Sequence, residues 1–305
     1  MNLSRFRAHI QMLRPPLAPM DLALPAASAL LASYAVTGGL PALMPFVLAT
    51  VGAYCAITSS YVLNDCYDID VDSIAMPNRP LPSMKLCKRE AFIWSILLFG
   101  VAAAVSIYLN LESFANLALA TIIITIYSVR AKRSTPFSWV YVGLAYGLVP
   151  FGVWLALEPV GVLKAGPGIH PASIILALMI CITDWGFTNC GASRDIKGDR
   201  ARGIPTTPAT YGIPATSKLV ASFWLIGVVL SIMLGMTAGL GLLYMGTAAA
   251  AGLWLIMQNL DFVRHPTAKR GDRLFYQSAN YRAIIFASII LDVLIRAALP
   301  NVGML

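Results

Sequence analysis

The chain has 305 residues, long enough for two soluble domains, but 58% of them are hydrophobic, only 12% are charged, and apolar runs of about 20 residues recur along it. The lipid bilayer is therefore the main solvent, and a pair of water-soluble domains is excluded. With so few charges overall, the net charge of +8 marks membrane orientation rather than a track for a phosphate backbone, so no nucleic-acid partner is expected.

The first segment, "MNLSRFRAHIQMLRPP", is basic and amphipathic and leads into an apolar run. "AASA" inside that run resembles a cleavage site, so a removable signal peptide is one reading. A retained first helix is the reading adopted, because the charge pattern requires an odd number of spans. Apolar runs between polar or Pro/Gly breaks then predict spans near 17–36, 41–64, 89–109, 114–129, 136–157, 171–193, 215–237, 240–259 and 276–298. The stretch 215–259 divides into two helices because "GMTAGLGL" interrupts it with small, turn-compatible residues. The fold class is thus an all-α integral membrane protein, with nine transmembrane helices around a central cavity and the whole chain as one domain. Alternate connections on the side of the amino terminus carry all the Lys and Arg except Lys164 and Arg296, which places the amino terminus and those loops in the cytoplasm. Cys55, Cys66, Cys87, Cys181 and Cys190 form no CxxC pair, and His9, His170 and His265 form no HExxH pair, so neither a disulfide framework nor a zinc site is indicated.

At the end of the second span stands "YVLNDCYDIDVDSIAMPNRPLPS". If the helix continues through Asp72, positions four apart advance by only about 40°, so Asn64, Asp68 and Asp72 line one face, Asp65 joins its edge and Asp70 points elsewhere. Taken alone, such a run reads as a solvated acidic loop. The end of the sixth span echoes it: "SRDIKGDRARGIPTTP" places Asp195 and Asp199 four apart, again followed by a basic, Pro-containing loop. The echo suggests an internal repeat, spans 1–4 against spans 5–8. Two carboxylate pairs at one membrane surface need a cation between them, and hard oxygen donors with open positions suit Mg²⁺ completed by substrate phosphates. Arg79, Lys132, Arg133, Lys197 and Arg200 come from loops on that face to take the remaining phosphate charge. Without a GxxxxGK[ST] loop for a nucleotide, the constellation reads as a site for a diphosphate whose lipid tail lies among the helices. Asp184 lies inside the sixth span, where either a functional or a hydrogen-bonded structural role is open; Asp21 and Asp292, nearer span ends, read as interfacial.

"NDCYDIDVD" followed by "NRPLPS", then "YSVRAKR", then "RDIKGDRARG", in this order on a nine-span chain, resembles the UbiA superfamily of intramembrane prenyltransferases. The resemblance covers essentially the whole chain. It implies that Asn64, Asp68, Asp72, Asp195 and Asp199 hold Mg²⁺ bridged to an isoprenyl diphosphate, with the four aspartates central to catalysis. It also implies that Arg79 and Lys132 contact the diphosphate and that Tyr127 lies near it. The implied reaction ionises the allylic C–O bond and alkylates an acceptor with the resulting carbocation. One departure bears on the acceptor: Ala192 stands where several relatives carry another acidic residue, with Asn189 and Asp184 nearby.

The implied function is transfer of a polyprenyl group to an aromatic or lipid acceptor, as in a 4-hydroxybenzoate polyprenyltransferase. A prenylated glyceryl phosphate, as in digeranylgeranylglyceryl phosphate synthesis, and a chlorin are alternative acceptors. A terpene cyclase on the same fold would ionise the same diphosphate without an acceptor. A secondary transporter is the rival from another class, but its carboxylates belong at the membrane midplane and its repeats are commonly inverted.

Overall fold

The computed structural model describes residues 3–159 and 168–299. Lys164, one of the two basic residues expected on the far face, lies outside these. The helices are α1 (Leu3–Met12), α2 (Ala18–Thr37), α3 (Leu43–Tyr67), α4 (Ile69–Ala75), α5 (Lys88–Leu109), α6 (Leu111–Ile126), α7 (Lys132–Ser134), α8 (Trp139–Leu157), α9 (Pro171–Ala201), α10 (Thr207–Thr237), α11 (Leu242–Arg264) and α12 (Ala268–Ala298). A short 3₁₀ turn, Pro15–Leu17, leads into α2, and a π-helical turn, Tyr127–Ala131, joins α6 to α7.

Seven helical segments among the described residues are long and apolar enough to cross a membrane, from Pro15–Thr37 to Thr207–Thr237. The remaining two expected spans fall on α11 and α12, which are long but less apolar. Their polar residues Asn259, Arg282 and Asp292 are buried within the protein instead of facing outward. The outer faces of the bundle are apolar: Ile93, Ile96, Leu97 and Val101 of α5 and Leu119 and Ile122 of α6 are all exposed. Such a surface belongs against lipid, where each helix satisfies its own backbone hydrogen bonds.

The helices close a ring. In chain order α2, α3, α5, α6, α8, α9, α10, α11 and α12 each pack on the next, and α12 returns to α2. Contacts across the ring join α9 to α12 and α2 to α8. The main apolar core fills that half, with Leu24, Trp154, Ile180, Trp224, Tyr244, Leu255 and Phe286 buried together. The other half, between α3, α5, α6, α8 and α9, stays open as a cavity. Glycines bring α8 close to α9: a Cβ on Gly143 would lie 2.3 Å from Trp185, and one on Gly147 would lie 2.8 Å from the Ala177 carbonyl oxygen. This is the small-residue seam that close packing of membrane helices requires.

Several boundaries depart from the sequence expectation. The helix of the second span does not run unbroken to Asp72; it ends at Tyr67, Asp68 caps it with φ −102° and ψ 9°, and α4 begins at Ile69. The sixth span, expected to end near 193, continues to Ala201, because the polar face of its last two turns points into the cavity. The seventh begins at Thr207 and bends at Gly212 (φ 82°) ahead of Pro214. Asp21 and Asp292, expected near span ends, are both buried within the protein. Asp292 is buried, accepts from the backbone N–H groups of Gly241 and Tyr244 at 2.8 and 3.3 Å, and pairs with Arg296. Asp21 is fully buried and accepts hydrogen bonds from Tyr61 and Tyr146. In both cases donors on another helix satisfy the buried carboxylate.

Candidate active site

Helix direction alternates around the ring, so the end of α3, the α6–α8 connection and the end of α9 meet at one end of the bundle. There they frame the mouth of a cavity of about 490 Å³ lined by residues of both aspartate clusters. Its interior is apolar, with Ala53, Val105, Leu117, Ile124, Val142 and Val149 among the residues on its walls.

The α3–α4 arm supplies Asn64, Asp68 and Asp72 to the mouth. Although the helix breaks at Asp68, the backbone keeps its four-residue step: Asp68 N–H bonds Asn64 O at 3.0 Å and Asp72 N–H bonds Asp68 O at 2.8 Å. The three side chains therefore remain on one face. One carboxylate oxygen of Asp68, Oδ2, accepts from Asn64 Nδ2 at 2.7 Å and from Lys132 Nζ at 2.5 Å. Asp72 takes Arg79 at 2.6 Å, and the same guanidinium nitrogen reaches Asp65 at 3.3 Å. Arg14, held in the left-handed region at φ 54°, completes the group with a 2.9 Å bond to Asp65. Burial pushes the Asp72 carboxyl up to about 6, against the pull of Arg79.

The second arm is the end of α9. Asp195 and Asp199, one turn apart, both line the cavity. Arg194 holds Asp195 with a two-pronged contact at 2.8 and 3.0 Å. Thr206 donates to Asp199 Oδ2 at 2.8 Å, while Asp199 Oδ1 is buried with no hydrogen-bond partner among the described residues. The continuous helix also settles where Lys197 and Arg200 stand: both are exposed and neither lines the cavity. Lys197, two residues from each aspartate, is turned about 200° away from them. Arg133 is likewise drawn off. It pairs with Asp70 at 2.7 Å, outside the cavity, and keeps the Asp70 carboxyl below the usual carboxylate range. The expectation that these three cations face the diphosphate is not met by this arrangement.

Lys132 and Tyr127 do line the cavity together. Five residues apart on an α-helix they would differ by about 140°, but the π-helical turn Tyr127–Ala131 closes over five residues and returns them to one face. Arg14 and Arg194 are functional candidates that the motif reading missed. Both are cations on the cavity wall, and in the sequence they look like ordinary orientation charges at span ends.

Asp65, Asp68, Asp72, Asp195 and Asp199 thus face Arg14, Arg79, Lys132 and Arg194, leaving one formal negative charge in excess. Among the described residues no three carboxylate, imidazole or thiol groups form a ready cage; Asp68, Asp72 and Asp195 are engaged instead by Lys132, Arg79 and Arg194. The donor chemistry nevertheless fits Mg²⁺: hard carboxylate and amide oxygens from two facing arms, and in Asp199 Oδ1 a buried oxygen with a free lone pair.

Deeper in the cavity lie Asp184, Tyr61 and Tyr146. Asp184 forms a buried ion pair with Arg282 at 3.1 Å and accepts from Thr188 at 3.2 Å. Ala192 and Asn189 also reach the wall, with the Asn189 amide donating to the Trp185 carbonyl at 2.8 Å.

A multi-pass helical membrane protein whose cavity sets carboxylates and cations at its mouth over an apolar interior is the class that fold and site define. The chain belongs to the UbiA prenyltransferase family, whose profile matches residues 24–286, and it is a prenyltransferase. It is 26% identical over 258 residues to the digeranylgeranylglyceryl phosphate synthase of Thermococcus sibiricus, covering 85% of this chain and 88% of that one. It is 25% identical over 268 residues to the protoheme IX farnesyltransferase of Korarchaeum cryptofilum, covering 87% and 88%. The fold matches that of a UbiA homologue from Archaeoglobus fulgidus bound to GPP and Mg²⁺, with a TM-score of 0.60 at 20% identity over 92% of this chain and 99% of the other.

Proposed function

We propose that the protein transfers a prenyl group from an isoprenyl diphosphate to a hydroxyl of a prenylated glyceryl phosphate, in an Mg²⁺-dependent reaction at the mouth of the cavity. The observation that carries this reading is the junction of two facing aspartate arms and four cations with an apolar cavity, which suits a charged head on a long hydrocarbon tail. The lipid acceptor is favoured over 4-hydroxybenzoate by the similar proteins, one named for digeranylgeranylglyceryl phosphate and none of the two for an aromatic acid.

In this reading Asn64, Asp68, Asp72, Asp195 and Asp199 hold the metal. When bound, Mg²⁺ supplies Lewis acidity that draws charge off the diphosphate and eases departure of the leaving group. Lys132 and Arg79 turn from their carboxylates toward the phosphates, joined by Arg14 and Arg194, and orient the head so that its allylic carbon enters the cavity. Apolar walls take the tail and keep water from the carbocation. All nine long helices cross the bilayer, and the amino terminus and the mouth face the cytoplasm, as the basic loops indicate.

The test is incubation of the purified protein with labelled geranylgeranyl diphosphate, Mg²⁺ and, separately, geranylgeranylglyceryl phosphate or 4-hydroxybenzoate. The expected product has the mass of the lipid acceptor plus one geranylgeranyl group, and chelation abolishes it. A product only with 4-hydroxybenzoate would move the acceptor to the aromatic class, and a cyclised hydrocarbon of unchanged carbon number would make the protein a cyclase. Failure to release diphosphate under any of these conditions would overturn the reading.

A further inference from the structure

Below the metal-binding arm, three helices converge on one carboxylate. Asp21 of α2 is fully buried and does not itself touch the cavity. Tyr61 of α3 donates its phenolic O–H to both oxygens of Asp21, at 3.1 and 3.2 Å, and Tyr146 of α8 donates to Asp21 Oδ1. Both phenols line the cavity, so the only hydrogen-bonded route from cavity to carboxylate among the described residues runs through them. Tyr61 precedes Asn64 by three residues on α3, a rise of about 4.5 Å, which sets the pair just inside the diphosphate mouth. The Arg14 guanidinium covers the Tyr61 ring at 4.4 Å from its centroid.

The cations whose charge reaches Asp21, Arg282 and Arg14, are each bonded directly to another acid. Arg282, whose guanidinium lies 5.6 Å from the centre of the Tyr146 ring, spends its contacts on Asp184 at 3.1 Å and Thr183 at 3.1 Å. Arg14 is bonded to Asp65. Among the described residues Asp21 has no ion pair, and burying a carboxylate without one is costly. An apolar side chain would fill the same place in the core at lower cost.

We infer that Asp21, reached through the phenols of Tyr61 and Tyr146, accepts the proton that the acceptor hydroxyl loses during prenyl transfer. This rests on the proposed hydroxyl acceptor. As the allylic C–O bond breaks, its electron pair leaves with the diphosphate, and the acceptor oxygen forms the new C–O bond. The proton freed from that oxygen passes to the phenolic oxygen of Tyr146 or Tyr61 while the phenol's own proton moves to Asp21. The phenol is regenerated, Asp21 becomes a neutral acid, and its proton returns to water by the same path after product leaves. Asp21 acts through the tyrosines and is a positioning and proton-accepting group.

The experiment separates ionisation from transfer. Asp21→Asn, Tyr61→Phe, Tyr146→Phe and the double phenylalanine variant are assayed with geranylgeranyl diphosphate and Mg²⁺, with and without geranylgeranylglyceryl phosphate. General base catalysis contributes about 10²- to 10⁴-fold. Asp21→Asn and the double variant are therefore expected to lower acceptor-dependent kcat by about 10²-fold or more, while slow diphosphate release without acceptor stays within about twofold. An acceptor analogue fluorinated beside the attacking hydroxyl, and so more acidic, should recover much of the loss. Unchanged transfer in Asp21→Asn, or an equal fall in both activities, would overturn the inference, the second outcome meaning a structural role. If Asp21→Asn does not fold, the phenylalanine variants decide by the same split. Absence of diphosphate release from the unaltered protein would instead bring down the proposed function, and the inference with it.

Discussion

Asp68 and Arg79 are held in ion pairs that the proposed function would require them to exchange. Lys132 sits 2.5 Å from Asp68, and Arg79 bridges Asp72 and Asp65, so the acids of the first arm are paired with cations. In the proposed reaction these carboxylates would hold the metal ion and the basic groups would take the phosphates, so that each charge keeps a partner of opposite sign. Asp68→Asn keeps the shape and removes the charge, so transfer should fall about 10²-fold or more with the thermal unfolding midpoint in detergent nearly unchanged. Arg79→Lys retains the charge but loses the fork that spans two partners, and the KM for the prenyl diphosphate should rise about tenfold. Steady-state kinetics on the two variants checks both, and near-normal activity in Asp68→Asn would count decisively against the metal-binding role. Much of this site was legible from residue type, spacing and, for Tyr127, the family resemblance, since Asn64, Asp68, Asp72, Asp195, Asp199, Arg79, Lys132 and Tyr127 all reach one cavity. Arg14 and Asp21 were not legible, because their meaning depends on partners 51 and 40 residues away on other helices.

At the scale of the helix, the differences between expectation and structure share one cause. A sequence window sees hydropathy, and it ends a span where polar residues begin; the polar last turns of α9 continue as helix because their polar face has a cavity to line. The break at Asp68 has the opposite character. No Gly or Pro stands at the break to signal it, and Asp68 and Asp70 are held by Lys132 and Arg133 from a distant segment. The glycines of α8 show how far packing goes beyond the apolar pattern. At Gly147 an added Cβ would lie 2.8 Å from Ala177 O and 2.9 Å from Cys181 Cβ, so Gly147→Val must push α8 from α9, the helix that carries half the site. Overpacking of this kind costs about 1–3 kcal/mol. The variant should unfold at a lower temperature in detergent and lose activity, while Gly100→Ala on α5, where a Cβ meets nothing within 4 Å, should be neutral or slightly stabilising. Equal behaviour of the two variants would show that the α8–α9 seam does not set the site.

At the scale of the whole molecule, the ring and the charge pattern make one joint prediction about orientation. Alternating helix directions bring Arg14 and the stretches 68–88, 132–139, 195–207 and 264–273 to a single end, and most of the basic residues that the sequence assigns to the cytoplasm lie in those segments. Cys87 caps α5 at that end and is exposed, whereas Cys55 is half-buried and Cys66, Cys181 and Cys190 are buried. The native protein therefore carries its own reporter. A membrane-impermeant maleimide should modify Cys87 in inside-out vesicles and leave it unmodified in right-side-out vesicles, with Cys87→Ser abolishing the signal in both. Labelling confined to right-side-out vesicles would invert the protein, and the diphosphate mouth would then open on the outer face, where the positive-inside distribution of its loops makes no physical sense.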